Sequence, residues 1–292
     1  MTKIQSVLVA TDFSSDSLYA VKRATMLSKA LSAEKVVVLH ILETSLMDNL
    51  KSFLGKSIKI EKDIINESYE ALSKLIEENR KKSDCPLKAQ VLTGNTLDSI
   101  SKTAADYDLL VIGAHGQHPV RTLALGTTAQ RLVSKIQKPI LIVKNKPERP
   151  YQNILIAVDF SSNSEKAIKY GCTIAPGALI YVVHVFEPIF EKKLAYAGIP
   201  DETIEKYRIE TQIRTETELK EFIRKSKADN CKPVSIVEHG HAPGKLPEIA
   251  DKLEPDLIIA GKHGRSQIEE LLLGSVTLHL LSQSQCDVLV VQ

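Results

Sequence analysis

The sequence predicts an α/β protein built as two tandem open parallel five-stranded sheets, each with helices on both faces. Three observations predict it. The second half of the chain repeats the first, near-continuous Val/Ile/Leu runs recur along each half, and segments of helical period alternate with those runs. Apolar runs without polar alternation belong to strands buried on both faces. Regular strand–helix alternation then argues for a parallel sheet joined by crossovers.

In the first half, strands are expected at Ser6–Ala10, Lys35–Leu42, Leu87–Leu92, Leu109–Gly113 and Pro139–Lys144. Helices are expected between them. Ser14–Leu31 opens on SSDS, where Ser14 or Ser15 can cap the first amides. Lys59–Lys82 is long and charged, with Ile64, Ile65, Ala71, Leu72, Leu75 and Ile76 as apolar positions. Thr96–Ala105 and Thr127–Ile136 complete the set, and the second half repeats the pattern with a long helix at Asp201–Lys227.

The repeat defines the domains. SVLVATDFSSDSLYAVKRA (Ser6–Ala24) answers to NILIAVDFSSNSEKAIKYG (Asn153–Gly171), which sets Asp12 against Asp159 at an offset of 159 − 12 = 147. His40 answers to His184, and KPILIVKN (Lys138–Asn145) to CDVLVVQ (Cys286–Gln292). The polar stretch Lys144–Asn153, with Pro147 and Pro150, suits a short linker, so domains are expected at 1–146 and 150–292. Within each sheet, Asp12 beyond the first strand and Gly113 at the end of the fourth meet in one crevice if those strands are neighbours at a switch point.

Composition narrows the function. With 43% hydrophobic and 25% charged residues the chain reads as globular, and a net charge of +2 gives no reason to expect nucleic acid. No apolar run nears the roughly 20 residues that span a bilayer, so no membrane is expected as a partner. The start MTKIQSVLVATD has no signal-peptide core, and the four cysteines form no C-x-x-C pair. Free thiols and a cytoplasmic location are the expectation.

One spacing carries the chemistry. Gly-x-x-Gly-x9-Gly-[Ser/Thr] falls on Gly113, Gly116, Gly126 and Thr127, and again on Gly261, Gly264, Gly274 and Ser275, each time after an apolar run. At a glycine usage of about 7% one such match arises by chance in roughly 1% of chains this long. Glycine admits positive φ and close approach of backbone N–H groups to an anion. The third glycine and its hydroxyl neighbour stand at a helix start, where unpaired amides attract phosphate and the hydroxyl can reach a phosphate oxygen or Mg2+. The spacing is neither a Walker A loop nor the dinucleotide fingerprint.

At these residues, and over nearly its whole length, the chain resembles the universal stress protein family in its tandem form, ATP-binding branch. The resemblance implies strand order 3-2-1-4-5, a Rossmann-like adenine-nucleotide fold, and pairing of the two domains through their last strands, Ile140–Val143 and Val288–Val291. That pairing makes an intrachain pseudo-dimer, with a homodimer also open. Residue by residue, the resemblance sets adenosine against Asp12 and Asp159 and adenine against the backbone of Ile41 and Val185. Ile112 with Gly113, and Ala260 with Gly261, would line ribose and phosphates. Gly116 and Gly264 would turn the loop; Gly126, Thr127 and Thr128, and Gly274, Ser275, Val276 and Thr277, would hold phosphates at the helix start.

Some positions depart from the family. Ala10 and Ala157 stand where family ATP binders often carry proline, and Ala129 replaces the hydroxyl that the second copy keeps at Thr277. His115 and His263 sit inside the loops and could orient a phosphate. Lys262 and Arg265 would add positive charge to the second loop, where His115 and Gln117 offer less, so the second site is expected to be the tighter. Simple turns would explain single glycines, and Asp12 and Asp159 could serve only as caps. His40 and His184 read as core histidines. Of Glu238, His239 and His241 only the two histidines would share a strand face, short of the three or four ligands of a zinc site unless the fold brings His263 near as a third. No metal residues are assigned.

The expected function is binding of ATP, or AMP or ADP, with Mg2+, by a stress-response regulator that signals to an unknown protein partner. No G-x-S-x-G elbow or base-plus-arginine set points to catalysis. A slow ATPase and a dimerisation scaffold with vestigial sites are the alternatives.

Overall fold

A computed structural model describes residues 3–45, 58–80, 85–116, 125–226, 231–264 and 273–292. The chain forms two compact units. One comprises Thr2–Pro150 with Gln285–Val290, the other Tyr151–Ser284 with Val291–Gln292.

The first unit contains β1 (Ser6–Thr11), α1 (Ser15–Leu31), β2 (Lys35–Glu43), α2 (Ile58–Arg80), β3 (Leu87–Gly94), α3 (Thr96–Ala104), β4 (Leu109–Gly113), α4 (Thr127–Lys135) and β5 (Ile140–Val143). Its strands lie in the order β3-β2-β1-β4-β5, parallel throughout. Val7, Leu8 and Val9 of β1 and all of β5 are buried, as uninterrupted apolar runs require. Ser14 caps α1, its hydroxyl accepting from Ser17 N–H, and Asn95 caps α3 in the same way.

The second unit repeats the plan with β6 (Asn153–Ala157), α5 (Ser162–Ile174), β7 (Leu179–Phe186), α6 (Glu191–Tyr196), α7 (Asp201–Lys225), β8 (Val234–His239), α8 (Ala242–Leu253), β9 (Leu257–Gly261) and α9 (Ser275–Gln283). β6 lies between β7 and β9, and β8 forms an edge. Gly171 of α5 allows the helix to approach the sheet, because a Cβ there would lie 2.6 Å from Ile156 Cδ1.

The last strand takes the pairing that the family resemblance implies. β10 (Asp287–Val291) runs antiparallel to β5, with Val288 opposite Ile142 and Val290 opposite Ile140. Most of it therefore belongs to the first compact unit. β5 is four apolar residues long, and an edge strand of that kind left open would be an adhesive template. β10 covers it. Asp287 at its start is 1% exposed, accepts from the Lys144 amide at 2.9 Å and faces Arg23 Nε at 3.3 Å. The Arg23 guanidinium also donates to the Arg149 carbonyl at 2.9 Å.

At the opposite end of the sheet from the glycines, Asp108 pins the start of β1. Its carboxylate accepts from the amides of Gln5 and Ser6 and from the Ser6 hydroxyl, each at 2.9 Å. Burial alone would raise its pKa, but these bonds and the Lys138 charge hold it below the ordinary value. A lowered carboxylate stabilises the fold above its unfolded pKa of about 3.9, and that contribution is lost as pH falls through the lower folded value. Asp108→Asn should therefore lower the urea midpoint at pH 7 and flatten the acid limb of the stability–pH profile. Parallel acid limbs in variant and wild type would contradict this.

The free-thiol expectation is corrected for one pair. Cys172 of α5 and Cys231, just before β8, form a disulfide with Cα atoms 5.7 Å apart across 59 residues of sequence. Nothing in the spacing revealed it, since the fold alone brings the two segments together. The cysteine count thus lends no support to a reducing compartment. Closing a loop of this length is worth about 4 kcal/mol in the chain-entropy account. Urea unfolding with and without reductant should show that loss in the second unit, and Cys172→Ser should abolish the difference; equal midpoints would contradict it. Among the described residues no helix is long and apolar enough to cross a membrane.

Candidate functional site at the carboxyl ends of the strands

β1 pairs with both β2 and β4, and β6 with both β7 and β9, so each first strand lies at the point where the chain order reverses. Asp12 and Asp159 follow these strands directly. One oxygen of each is used locally. Asp12 Oδ1 accepts from the Ser14 amide at 3.0 Å and hydroxyl at 2.5 Å; Asp159 Oδ1 accepts from the Ser161 amide at 3.1 Å and the Ser164 hydroxyl at 2.7 Å. The other oxygen faces the loop glycine. A Cβ on Gly116 would lie 2.9 Å from Asp12 Oδ2, and one on Gly264 only 2.6 Å from Asp159 Oδ2. The aspartates thus both cap their turn and border the loop.

The residue after each aspartate is where the backbone is strained. Phe13 and Phe160 both have φ of 63°, a left-handed conformation that costs a non-glycine residue about 1–2 kcal/mol. Each ring packs on the second-strand histidine, Phe13 on His40 at 4.6 Å and Phe160 on His184 at 4.4 Å between centroids. Each histidine ring bonds through Nδ1 to a carbonyl at the end of the first strand, Thr11 or Val158, at 2.8 Å. The same strain held by the same contacts in both copies marks a shaped turn.

β2 and β7 run on past the strands beside them. Thr11 pairs with His40 and Ala157 with Val183, so Ile41 and Val185 lie beyond β1 and β6. Val183 O accepts from Val158 N–H on the β6 side, while Phe186 O accepts from Gly240 on the β8 side. Parallel strands alternate the edge to which successive residues present their main chain, so Val185 directs its N–H and C=O past the end of β6. Such an edge suits a planar ring with a donor and an acceptor.

The glycines serve close approach rather than unusual dihedrals. Positive-φ glycines among the described residues are Gly177, Gly198 and Gly240, and none belongs to the motif. Of the two uses of glycine that the sequence offers, positive φ and close approach, the motif glycines show the second. Gly113 lets β4 end against α1, since a Cβ there would lie 2.6 Å from the Asp16 carbonyl carbon; at Gly261 it would lie 2.9 Å from Asn163 Cβ. Gly126 and Gly274 close the loop, donating to the Ala114 and Lys262 carbonyls at 2.9 Å. Both are N-caps with no side-chain cap. The first intrahelical bonds reach Gly126 and Gly274 only from Gln130 and Leu278, so the amides of Thr127–Ala129 and Ser275–Thr277 have no acceptor within their helices.

Other predicted residues separate into two groups. Thr127, Thr128 and Ser275 are exposed at the helix starts and Val276 is half-buried. Ile112 and Ala260 are buried in the sheet, 4% and 2% exposed, so only their main chain can border a ligand. Thr277 is also buried, and its hydroxyl donates to the Gly261 carbonyl at 2.6 Å, tying α9 to β9. Lys262 is fully buried, which removes the exposed positive charge expected beside the second loop; Arg265 and Gln117 lie outside the described residues. His239 donates from Nε2 to Glu191 at 2.7 Å, and Arg208 grips the same carboxylate. Burial raises the Glu191 pKa, but these two partners hold it below the ordinary carboxylate value.

The sequence reading missed Asp16. Its Oδ2 accepts from the His115 amide at 3.1 Å and from ring Nδ1 at 2.8 Å. In the second unit Asn163 instead donates to the His263 carbonyl at 3.5 Å. SSDS against SSNS was the visible signal, but it reads as ordinary capping sequence.

The sequence profile of the universal stress protein family matches residues 3–144 and again 150–292. Universal stress protein MJ0577 of Methanocaldococcus jannaschii is 28% identical over 156 residues, covering 49% of this chain and 96% of its own. The universal stress protein E homolog of Haemophilus influenzae is 22% identical over 302 residues, 98% of this chain and 97% of its own. A crystal structure of a universal stress protein from Archaeoglobus fulgidus superposes over 98% of this chain and 95% of its own, at a TM-score of 0.68 and 17% identity, and so shares the fold. With two matched copies, this chain belongs to the universal stress protein family as a tandem member.

Proposed function

We propose that the chain binds adenine nucleotide, with ATP and Mg2+ in the second unit, and acts as a nucleotide-sensing regulator in the stress response. The carrying observation is the convergence, twice over, of an aspartate oxygen, a glycine whose Cβ would crowd that oxygen, and helix amides without a side-chain cap at one switch point. Membership of the family supports it. Adenine would meet the main chain of Ile41 or Val185, and Asp12 or Asp159 the ribose hydroxyls. The phosphates would lie along Gly113–Gly116 or Gly261–Gly264 and the amides of Thr127–Ala129 or Ser275–Thr277. Mg2+ would come with the phosphates, within reach of the Thr127 or Ser275 hydroxyl. Nucleotide would order the loop surface, and a protein partner reading that surface would sense occupancy.

Calorimetric titration of ATP with Mg2+ into wild type, Gly126→Glu and Gly274→Glu tests this. Saturable binding, diminished more by Gly274→Glu, is expected. Wild type that takes up no nucleotide would refute the proposal, and greater loss from Gly126→Glu would refute the ranking of the sites.

A further inference from the structure

The two loops rest on helices that differ at one aligned position, and we propose that this difference makes the two sites select ligands of different charge. The inference rests on the nucleotide-binding reading and refines it. In the first unit the His115 amide, just inside the loop, is the kind of donor a phosphate oxygen takes. A carboxylate of the chain already takes it, Asp16 Oδ2 at 3.1 Å, and the same oxygen accepts from the His115 ring at 2.8 Å. In the second unit the aligned residue is Asn163. It is neutral, and it donates to the His263 carbonyl at 3.5 Å. The His263 amide consequently makes no hydrogen bond among the described residues.

The two positions are spatially equivalent. Gly113 abuts the Asp16 backbone, and Gly261 abuts Asn163. Asp16 is therefore a built-in anion in the seat that, in the second unit, no described residue takes. A phosphate arriving there in the first unit would have to displace a carboxylate and approach its charge. The first unit is accordingly assigned a ligand with little negative charge at this seat, a nucleoside or nucleoside monophosphate. The second is assigned a nucleoside di- or triphosphate.

Calorimetry on the full chain with ATP, AMP and inorganic tripolyphosphate separates the outcomes. With the second site blocked by Gly274→Glu, Asp16→Asn should tighten ATP and tripolyphosphate binding about tenfold or more, the worth of one charge-assisted hydrogen bond. AMP affinity should change little. With the first site blocked by Gly126→Glu, Asn163→Asp should weaken ATP and tripolyphosphate by a similar factor. The reciprocal swap keeps the test decisive if Asp16→Asn fails to fold, which circular dichroism would reveal. ATP affinity unmoved by either swap, in protein that binds ATP, overturns this inference alone. Tripolyphosphate shifts without any adenine-nucleotide binding would sustain the anion seat and sink the nucleotide reading; failure to bind either anion overturns both.

Discussion

Asp287→Ala should destabilise the first unit by about 3–5 kcal/mol, the cost of stranding one charge of a buried pair. Arg23 and Asp287 are 6% and 1% exposed, and Arg23 Nε lies 3.3 Å from Asp287 Oδ2. Removing the carboxylate takes the buried counter-charge from the guanidinium and an acceptor from the Lys144 amide. It also removes charge that supports the Lys144 ammonium. Burial pushes that group down to about 8, against the opposing influence of Cys286 and Asp287. Since these contacts hold β10 against β5, urea unfolding should show the first unit melting early. Arg23→Met combined with Asp287→Leu should recover much of the loss, because an apolar pair of similar volume strands no charge. A double variant as unstable as Asp287→Ala would show that the ion pair is not what holds the strand.

The second large effect separates glycines that look alike in sequence. Gly113→Ala should fold poorly, because its Cβ would lie 2.6 Å from Asp16 C and 2.7 Å from Ser17 N, both backbone atoms that cannot yield separately. Overpacking of this kind costs about 1–3 kcal/mol or more. Gly264→Ala should instead retain the fold and lose nucleotide, since its Cβ meets the Asp159 carboxylate at 2.6 Å in the crevice itself. Thermal melts and ATP titrations of both variants check this. Two variants with the same melting temperature and the same ATP affinity would contradict the division of roles.

The layers of this fold were legible because burial on both faces leaves an unbroken apolar run, as at Leu109–Gly113 and Leu257–Gly261, and duplication printed each run twice. Asp12 near the glycines that follow the fourth strand was also legible, because the strand order that the resemblance implies makes β1 and β4 neighbours. The strained Phe13 and Phe160 were not. A left-handed phenylalanine opposes local propensity, and the contacts that accompany it, with His40 in one copy and with His184 and Phe222 in the other, are tertiary. Lys262 and Thr277 misled for a related reason. Both residue types favour a phosphate on paper, but one is buried and the other spends its hydroxyl on Gly261. Cys172–Cys231 joins segments far apart in the chain, and composition carries no trace of such a pairing. The β5–β10 ladder, by contrast, was legible through the family resemblance, which implies pairing of the last strands.

Crystals soaked with Mg2+ and ATP would examine the central claim most directly. Triphosphate density is expected between Asp159, Gly264 and the Ser275–Thr277 amides, with the adenine edge on Val185. Density at neither crevice at saturating nucleotide, or nucleotide bound elsewhere on the chain, would contradict it.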